Sequence, residues 1–200
     1  MIRKRATHCT EAWYSDDERH RFDLQWRWGD GRLLVGWLLN PSTATEIVPD
    51  PTVRRIMVEA DRLELDGFRI INLYSLRSSN VGPALCETTA IRKVNEERIV
   101  EVLSEAARQG WPVLAGWGED GRHKQDWALA AAREAGVELH RFGDLTKANR
   151  TPRHPSRSGD GNKHPYVRWI LENGDPQEGS RASGVSASPS APARGWRRSF

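Results

Sequence analysis

The sequence predicts an α/β domain: a three-layer sandwich with a mainly parallel, four-stranded central sheet and one antiparallel edge strand. Short apolar runs of six or seven residues alternate with amphipathic stretches of ten or more. That is the pattern of strand–helix–strand units joined by right-handed crossovers. The apolar runs are nearly continuous, as in buried strands. Gly67, Gly110 and Gly136 stand where each helical stretch should stop.

Residues 21–28 alternate strictly, with Phe22, Leu24, Trp26 and Trp28 on one side and Arg21, Asp23, Gln25 and Arg27 on the other. Period two means a half-buried strand. Gly29-Asp30-Gly31 is a turn signal and Leu33 to Leu39 an apolar run, so the pair predicts a hairpin leading into a central strand. Asn40-Pro41 breaks off that run. Asp50 followed by Pro51 predicts an N-cap and first helical turn, and Val53, Ile56, Met57, Ala60 and Leu63 recur at helical spacing up to Gly67. "FRIINL" (68–73) predicts a strand, and residues 89–109 a charged amphipathic helix stopped by Gly110. "PVLAGW" (112–117) predicts another strand, ended by Gly118. A helix over 124–135 and the strand "VELHRF" (137–142) complete the order.

Two hundred residues suit one domain with a proper core, here 20–173, preceded by a basic segment over 1–19. Of the 27 residues from Gly174 to Phe200, 17 are Gly, Ser, Pro or Ala, which predicts a disordered tail ending in the basic, aromatic "RGWRRSF". A formal charge of +3 proves no nucleic-acid partner by itself. Two cysteines cannot build a disulfide framework or a cysteine-based zinc site, and His154 with His164 lacks a third ligand at suitable spacing. No metal or cofactor is expected. No apolar run approaches the ~18 residues of a membrane span, and the basic amino terminus lacks a signal peptide's apolar region. No membrane partner and a cytoplasmic location are the expectations.

In open α/β sheets ligands bind beyond the carboxyl ends of the strands. Asn40-Pro41-Ser42-Thr43 follows the first central strand, and Asn72, Tyr74, Ser75 and Arg77 end the second. "GWGEDGRHK" ends the third, and "GDLTKANRTPRHPSR" follows the fourth. All four ends carry hydrogen-bonding side chains. From Lys147 to Arg168 there are six Lys or Arg residues and one acid, a loop able to neutralise phosphates.

These motifs resemble the bacterial and phage domain-of-unknown-function family numbered 1643. The shared residues are Leu39 to Ala44, Asp50-Pro51-Thr52-Val53-Arg54, Asn72-Leu73 with Arg77, Trp117-Gly118, and Pro152 to Pro155. A more distant resemblance, to the uracil-DNA glycosylase superfamily, is carried by Asn40-Pro41, "IINL", "LAGWG" and His154-Pro155-Ser156 in the same order. It implies a glycosylase-like fold and a nucleic-acid or nucleotide partner. It also implies hydrolysis of an N-glycosidic bond in DNA or a modified nucleotide.

On that resemblance Asn40 and His154 are the catalytic candidates. Asn40 would position a water, and His154 would stabilise the departing base. Asn72 would read a base edge through one amide donor and one acceptor. Tyr74 and Trp117 are candidates to stack the base. Ser42, Thr43, Arg54, Arg77, Arg153, Ser156 and Arg157 are candidate phosphate contacts, and Arg55 could face the same cleft. Asn40 is no carboxylate and cannot take a proton; Asp50, ten residues on, is the acid offered in its place. The apolar wedge expected after Ser156 is replaced by Arg157-Ser158-Gly159-Asp160-Gly161. Two alternatives stay open: an enzyme acting on a free nucleotide or nucleoside without duplex binding, and a non-catalytic nucleic-acid-binding module.

Overall fold

The computed structural model describes residues 7–80, 82, 87–157, 165–171 and 176–178. Strands β1 (Cys9–Tyr14), β2 (Arg21–Arg27), β3 (Leu34–Leu38), β4 (Gly67–Asn72), β5 (Val113–Gly116), β6 (Leu139–Phe142), β7 (Tyr166–Leu171) and β8 (Pro176–Glu178) form one sheet. Their order is β1-β2-β4-β3-β5-β6-β7-β8. Three helices, α1 (Pro51–Arg62), α2 (Thr89–Gln109) and α3 (Gln125–Ala135), connect its strands.

The protein is α/β, but its sheet is mixed rather than mainly parallel. β4, β3, β5 and β6 pair in parallel. β1 with β2, β2 with β4, β6 with β7, and β7 with β8 pair antiparallel. Antiparallel strands therefore lie on both sides, not at one edge. β1 comes from the segment read as a basic extension. β7 comes from the loop read as phosphate-neutralising, where Arg168 instead pairs with Glu138. Within the stretch 174–200 only β8 is described.

The β2–β3 hairpin does not form, because β4 enters between the two strands. The Gly-Asp-Gly turn wraps the entry to β4: Trp28 and Gly29 donate N–H to the Asp66 carbonyl at 2.9 and 3.2 Å, and Asp66 donates to the Arg32 carbonyl at 2.9 Å. Gly31 N–H donates to Asp66 Oδ2 at 3.1 Å. A Cβ on Gly29 or Gly31 would collide with that carboxylate. The glycines thus serve close approach rather than a hairpin turn.

Asp50 caps α1 as its spacing predicts, Oδ1 accepting Val53 N–H at 2.8 Å. The helix ends at Leu63 rather than running to Gly67. Glu64 takes the left-handed conformation (φ 55°), and Gly67 opens β4 instead. Gly110 and Gly136 do close α2 and α3 in that conformation, at φ 63° and 71°.

Period two along the central strands sorts the core into two layers. Leu34 and Leu38 of β3, Phe68 and Ile70 of β4, and Leu114 of β5 pack with Val53, Ile56 and Ala60 of α1. Val35, Trp37, Ile71, Val113 and Ala115 face α2 and α3 through Ile99, Val102, Leu103, Ala128 and Ala132. Trp37 meets Trp117 and Trp127 edge-on at 5.5 and 6.0 Å, so these tryptophans are packing residues.

Beside that layer lies an ion network. Fully buried Asp23 receives Arg69 at 2.8 and 2.6 Å and Arg98 at 3.1 and 2.8 Å. Arg69 also reaches Glu105 at 2.7 Å, and Arg98 stacks over Trp13 at 4.4 Å. No helix among the described residues is long and apolar enough to cross a membrane.

Candidate functional site at the strand ends

Parallel pairing aligns the carboxyl ends of β4, β3 and β5. Asn72 lies opposite Leu38, and Leu38 opposite Gly116, in one row across the sheet. Two residues beyond that row, Asn40 leaves β3 and Gly118 leaves β5. The loop carrying His154 is tied down here: Gly118 N–H donates to the Pro152 carbonyl at 2.9 Å. Gly116 and Gly118 leave the room it needs. A Cβ on Gly116 would lie 3.0 Å from Pro155 Cδ, and one on Gly118, at φ 70°, 3.3 Å from His154 Cβ. Asn40, Asn72 and His154 thus belong to three adjacent strand ends.

Phe68 and Ile70 face α1, so alternation points Asn72 the same way. Asn72 is 1% exposed, and neither Nδ2 nor Oδ1 has a hydrogen-bond partner. Its backbone is held from the opposite layer, where Asn95 Nδ2 donates to the carbonyls of Asn72 and Leu73 at 3.0 and 3.3 Å. Asn40 is the reverse case. Its Nδ2 donates to the carbonyls of Pro41 at 3.0 Å and Ser78 at 2.7 Å, which leaves Oδ1 as the acceptor.

The ring of His154 is oriented by Ser156. Ser156 N–H donates to Nδ1 at 3.3 Å, and the Ser156 hydroxyl lies 2.8 Å from the same nitrogen. Nδ1 is therefore an acceptor, and the neutral ring carries its proton on Nε2. Arg153, beside it, is occupied: its Nε donates to the Asp144 carbonyl at 3.0 Å.

Next to Asn40 opens a cleft of about 550 Å³, lined by Arg19, Ser42, Thr43, Arg77, Ser78 and Ser79, with Glu18 and Leu76. Ser42, Thr43 and Arg77 come together in this cleft. Arg77 is held by Nη1 on the Glu18 carbonyl at 3.1 Å and lies over the Tyr14 ring at 5.1 Å. Burial, reinforced by a hydrogen bond to Glu46, pushes the Tyr14 phenol up. Arg19, Ser78 and Ser79 were not legible as partners, because only the fold brings them to Ser42.

Several candidates fall elsewhere. Trp117 packs in the α2–α3 layer, on the opposite face of the sheet from Asn72, its Nε1 3.3 Å from Gln125 Oε1, so it does not stack a base held by Asn72. The alternation Leu114/Gly116 against Val113/Ala115/Trp117 carried that information. Tyr74 also packs in that layer, 7% exposed, under the Lys124 ammonium at 4.4 Å. Burial and then Glu87 hold its phenol above the usual range. Arg54 is exposed on α1, whereas Arg55 turns inward. The Arg55 guanidinium lies 5.1 Å over Phe142, with Nε and Nη2 buried and unpartnered. Asp50 caps α1 through Oδ1. Ser156 is exposed. Arg157 closes the short 3-10 turn Pro155–Arg157, and its side chain lies outside the described residues.

A second polar cluster, absent from the sequence reading, sits past β4. Ser75 Oγ donates to Glu87 at 2.8 Å and meets His20 Nδ1 at 2.9 Å, and Lys124 reaches Glu87 at 3.5 Å. Among the described residues no three His, Cys, Asp or Glu side chains are grouped to hold a metal ion.

The parallel strand ends of a mixed α/β sheet thus gather amides, an oriented imidazole and a hydroxyl-rich cleft. The chain belongs to the family described as "Protein of unknown function (DUF1643)", whose model matches residues 21–156. No curated protein and no solved structure matches it significantly.

Proposed function

We propose that this protein is a nucleobase-handling domain of the uracil-DNA glycosylase kind, hydrolysing an N-glycosidic bond in DNA or a modified nucleotide. The single observation that carries the reading is the Asn72 carboxamide, buried with donor and acceptor both unpaired at the end of the strand next to the one that leads to Asn40. A buried amide without partners is costly, and a base edge offering one acceptor and one donor would satisfy both atoms. In the reaction the C1′–N bond breaks with its electron pair leaving on the base. His154 Nε2–H stabilises the resulting base oxyanion, as a preorganised donor does. Asn40 Oδ1 holds the water that bonds to C1′ and loses its proton to solvent. Ser42, Thr43 and Arg77 contact phosphate along the adjoining cleft.

The test is incubation with DNA carrying uracil, mismatched thymine or hypoxanthine, followed by alkaline cleavage at abasic sites. Cleavage should fall by about 10²–10³ in His154→Ala and vanish in Asn72→Leu. Unchanged cleavage in either variant refutes the assignment. One observation favours a second reading, a non-catalytic nucleic-acid-binding module. Asp50 caps α1, and Glu46, the acid nearest to Asn40 in sequence, accepts the Tyr14 hydroxyl. Salt-dependent DNA binding with no cleavage of any of these substrates selects it.

A further inference from the structure

Two arginines of this protein use the same edge of the guanidinium to hold a carboxylate. Arg69 donates to Asp23 from Nε at 2.8 Å and Nη2 at 2.6 Å, and Arg62 to Glu59 from Nε at 3.0 Å and Nη2 at 2.5 Å. These two N–H groups point the same way and form the fork that grips a carboxylate or phosphate. In Arg55 the same two nitrogens are buried and have no hydrogen-bond partner. Glu59, the nearest acid along α1, is taken by Arg62. An empty fork on a covered cation is costly in the folded chain. The residue itself is half-buried, so solvent reaches part of it.

The surroundings supply a further donor. The guanidinium stands 5.1 Å over the Phe142 ring, and Phe142 pairs across the sheet with Tyr166, their rings 6.4 Å apart. The Tyr166 hydroxyl is also buried and unpartnered. Burial, then Glu59, holds its phenol well above the ordinary range, so it stays a donor. His140, stacked on Tyr166, is kept neutral by burial and adds no charge. Leu114 pairs with His140, which puts Phe142 beside Gly116, in the row that leads through Leu38 to Asn72. Three strand spacings, about 14 Å, separate Phe142 from Asn72 along that row. The Arg77 cleft lies the other way, towards β2, where His20 bridges Leu76. We infer that Arg55, with Tyr166 beside it, forms an anion site for a phosphate group, free or carried by a nucleotide, separate from the Arg77 cleft. Two phosphate oxygens accept Nε–H and Nη2–H of Arg55, and a third accepts the Tyr166 hydroxyl. Three donors suit the terminal oxygens of a phosphate better than the two of a carboxylate. The site stands whether or not the protein cleaves an N-glycosidic bond.

The experiment is thermal unfolding of the full chain in inorganic phosphate, against sodium chloride at matched ionic strength. Phosphate should raise the wild-type Tm and chloride should not, since an ion that binds only the folded state stabilises it by mass action. Arg55→Met removes the fork and should lose the phosphate response. Without phosphate its Tm should equal or exceed the wild-type value, because an unpaired covered charge is gone. Arg55→Lys keeps the charge without the fork and should need about ten-fold more phosphate for the same rise. Tyr166→Phe should need about three- to ten-fold more, the worth of one hydrogen bond. Arg77→Ala should respond as wild type. A nucleoside 5′-monophosphate that protects at lower concentration than phosphate, where the nucleoside does not, identifies a nucleotide as the ligand. Equal concentrations identify free phosphate. No phosphate-specific rise in wild type overturns the site, as does a rise kept in Arg55→Met or lost in Arg77→Ala. So does an Arg55→Met protein less stable than wild type without phosphate, because a carboxylate of the chain then already fills the fork. Equal protection by acetate overturns the assignment to phosphate.

Discussion

Asn72 gives the sharpest test, because its predicted behaviour opposes the usual effect of core mutation. Most buried substitutions destabilise. Here the side chain is 1% exposed and both polar atoms lack partners. Burying an amide without compensation costs about 1–3 kcal/mol by protein mutational data. Leucine has the same branching and number of heavy atoms, carries no polar atom, and would join Leu38 and Ile70 in the α1 layer. Asn72→Leu should therefore stabilise the protein by about 2 kcal/mol, taking the middle of that range. For a domain of this size that raises Tm by about 4–8 °C. Urea titration is the assay, and the midpoint should rise with an unchanged m-value. The same variant should lose base release. A variant less stable than wild type would refute the reasoning, since it would mean the amide is already satisfied. A stabilised variant with full activity would refute the functional half alone.

Three further outcomes follow from the geometry. Asp23→Asn should destabilise by about 3–5 kcal/mol in denaturant titration, because Arg69 and Arg98 are left without their shared buried charge; a loss under 1 kcal/mol would show that Glu105 on Arg69 and Glu101, 3.0 Å from Arg98, suffice. Burial holds the His140 imidazole, stacked 4.7 Å from Tyr166, below its ordinary range. The unfolded chain therefore binds the proton first, so stability is present above about pH 6.5 and falls as pH drops below it. His140→Phe should flatten that acid limb, and an unchanged limb counts against the assignment. Gly118→Ala should cost about 1 kcal/mol or more through its positive φ. It should also lower base release by displacing His154, and full activity would break the proposed link between Gly118 and the imidazole.

The layers were legible because period two and helical spacing are local signals. Asp50 and Gly110 cap where their residue types demand. Partner choice was not legible. Nothing between Arg21 and Leu39 announces that β4, some thirty residues on, will separate β2 from β3, since that depends on Asp66 fitting the glycine turn. The site divides along the same line. Asn40 and Asn72 could be placed because each lies within two residues of a strand's last residue, whereas His154, twelve residues past β6, reaches the end of β5 only through the bond from Gly118 to Pro152. Trp117 was misassigned because strand ends were read by position without asking which face each residue takes. Arg19 and Ser78 reach the cleft only through the His20–Leu76 bridge and the bond from Ser78 N–H to the Pro41 carbonyl, both long-range in sequence.

The hydrogen bonds at the three strand ends also bear on which half of the proposed reaction the domain supports. Asn40 has its amide nitrogen fixed on two carbonyls, so it can orient a water through Oδ1 but removes no proton from it. His154, with Nδ1 accepting from Ser156, can donate from Nε2 without first being charged. On the proposed reading the lowering of the barrier therefore falls on the leaving base rather than on the nucleophile. Barrier lowering at that end requires a base that departs readily as an anion, which limits the substrates to electron-poor bases.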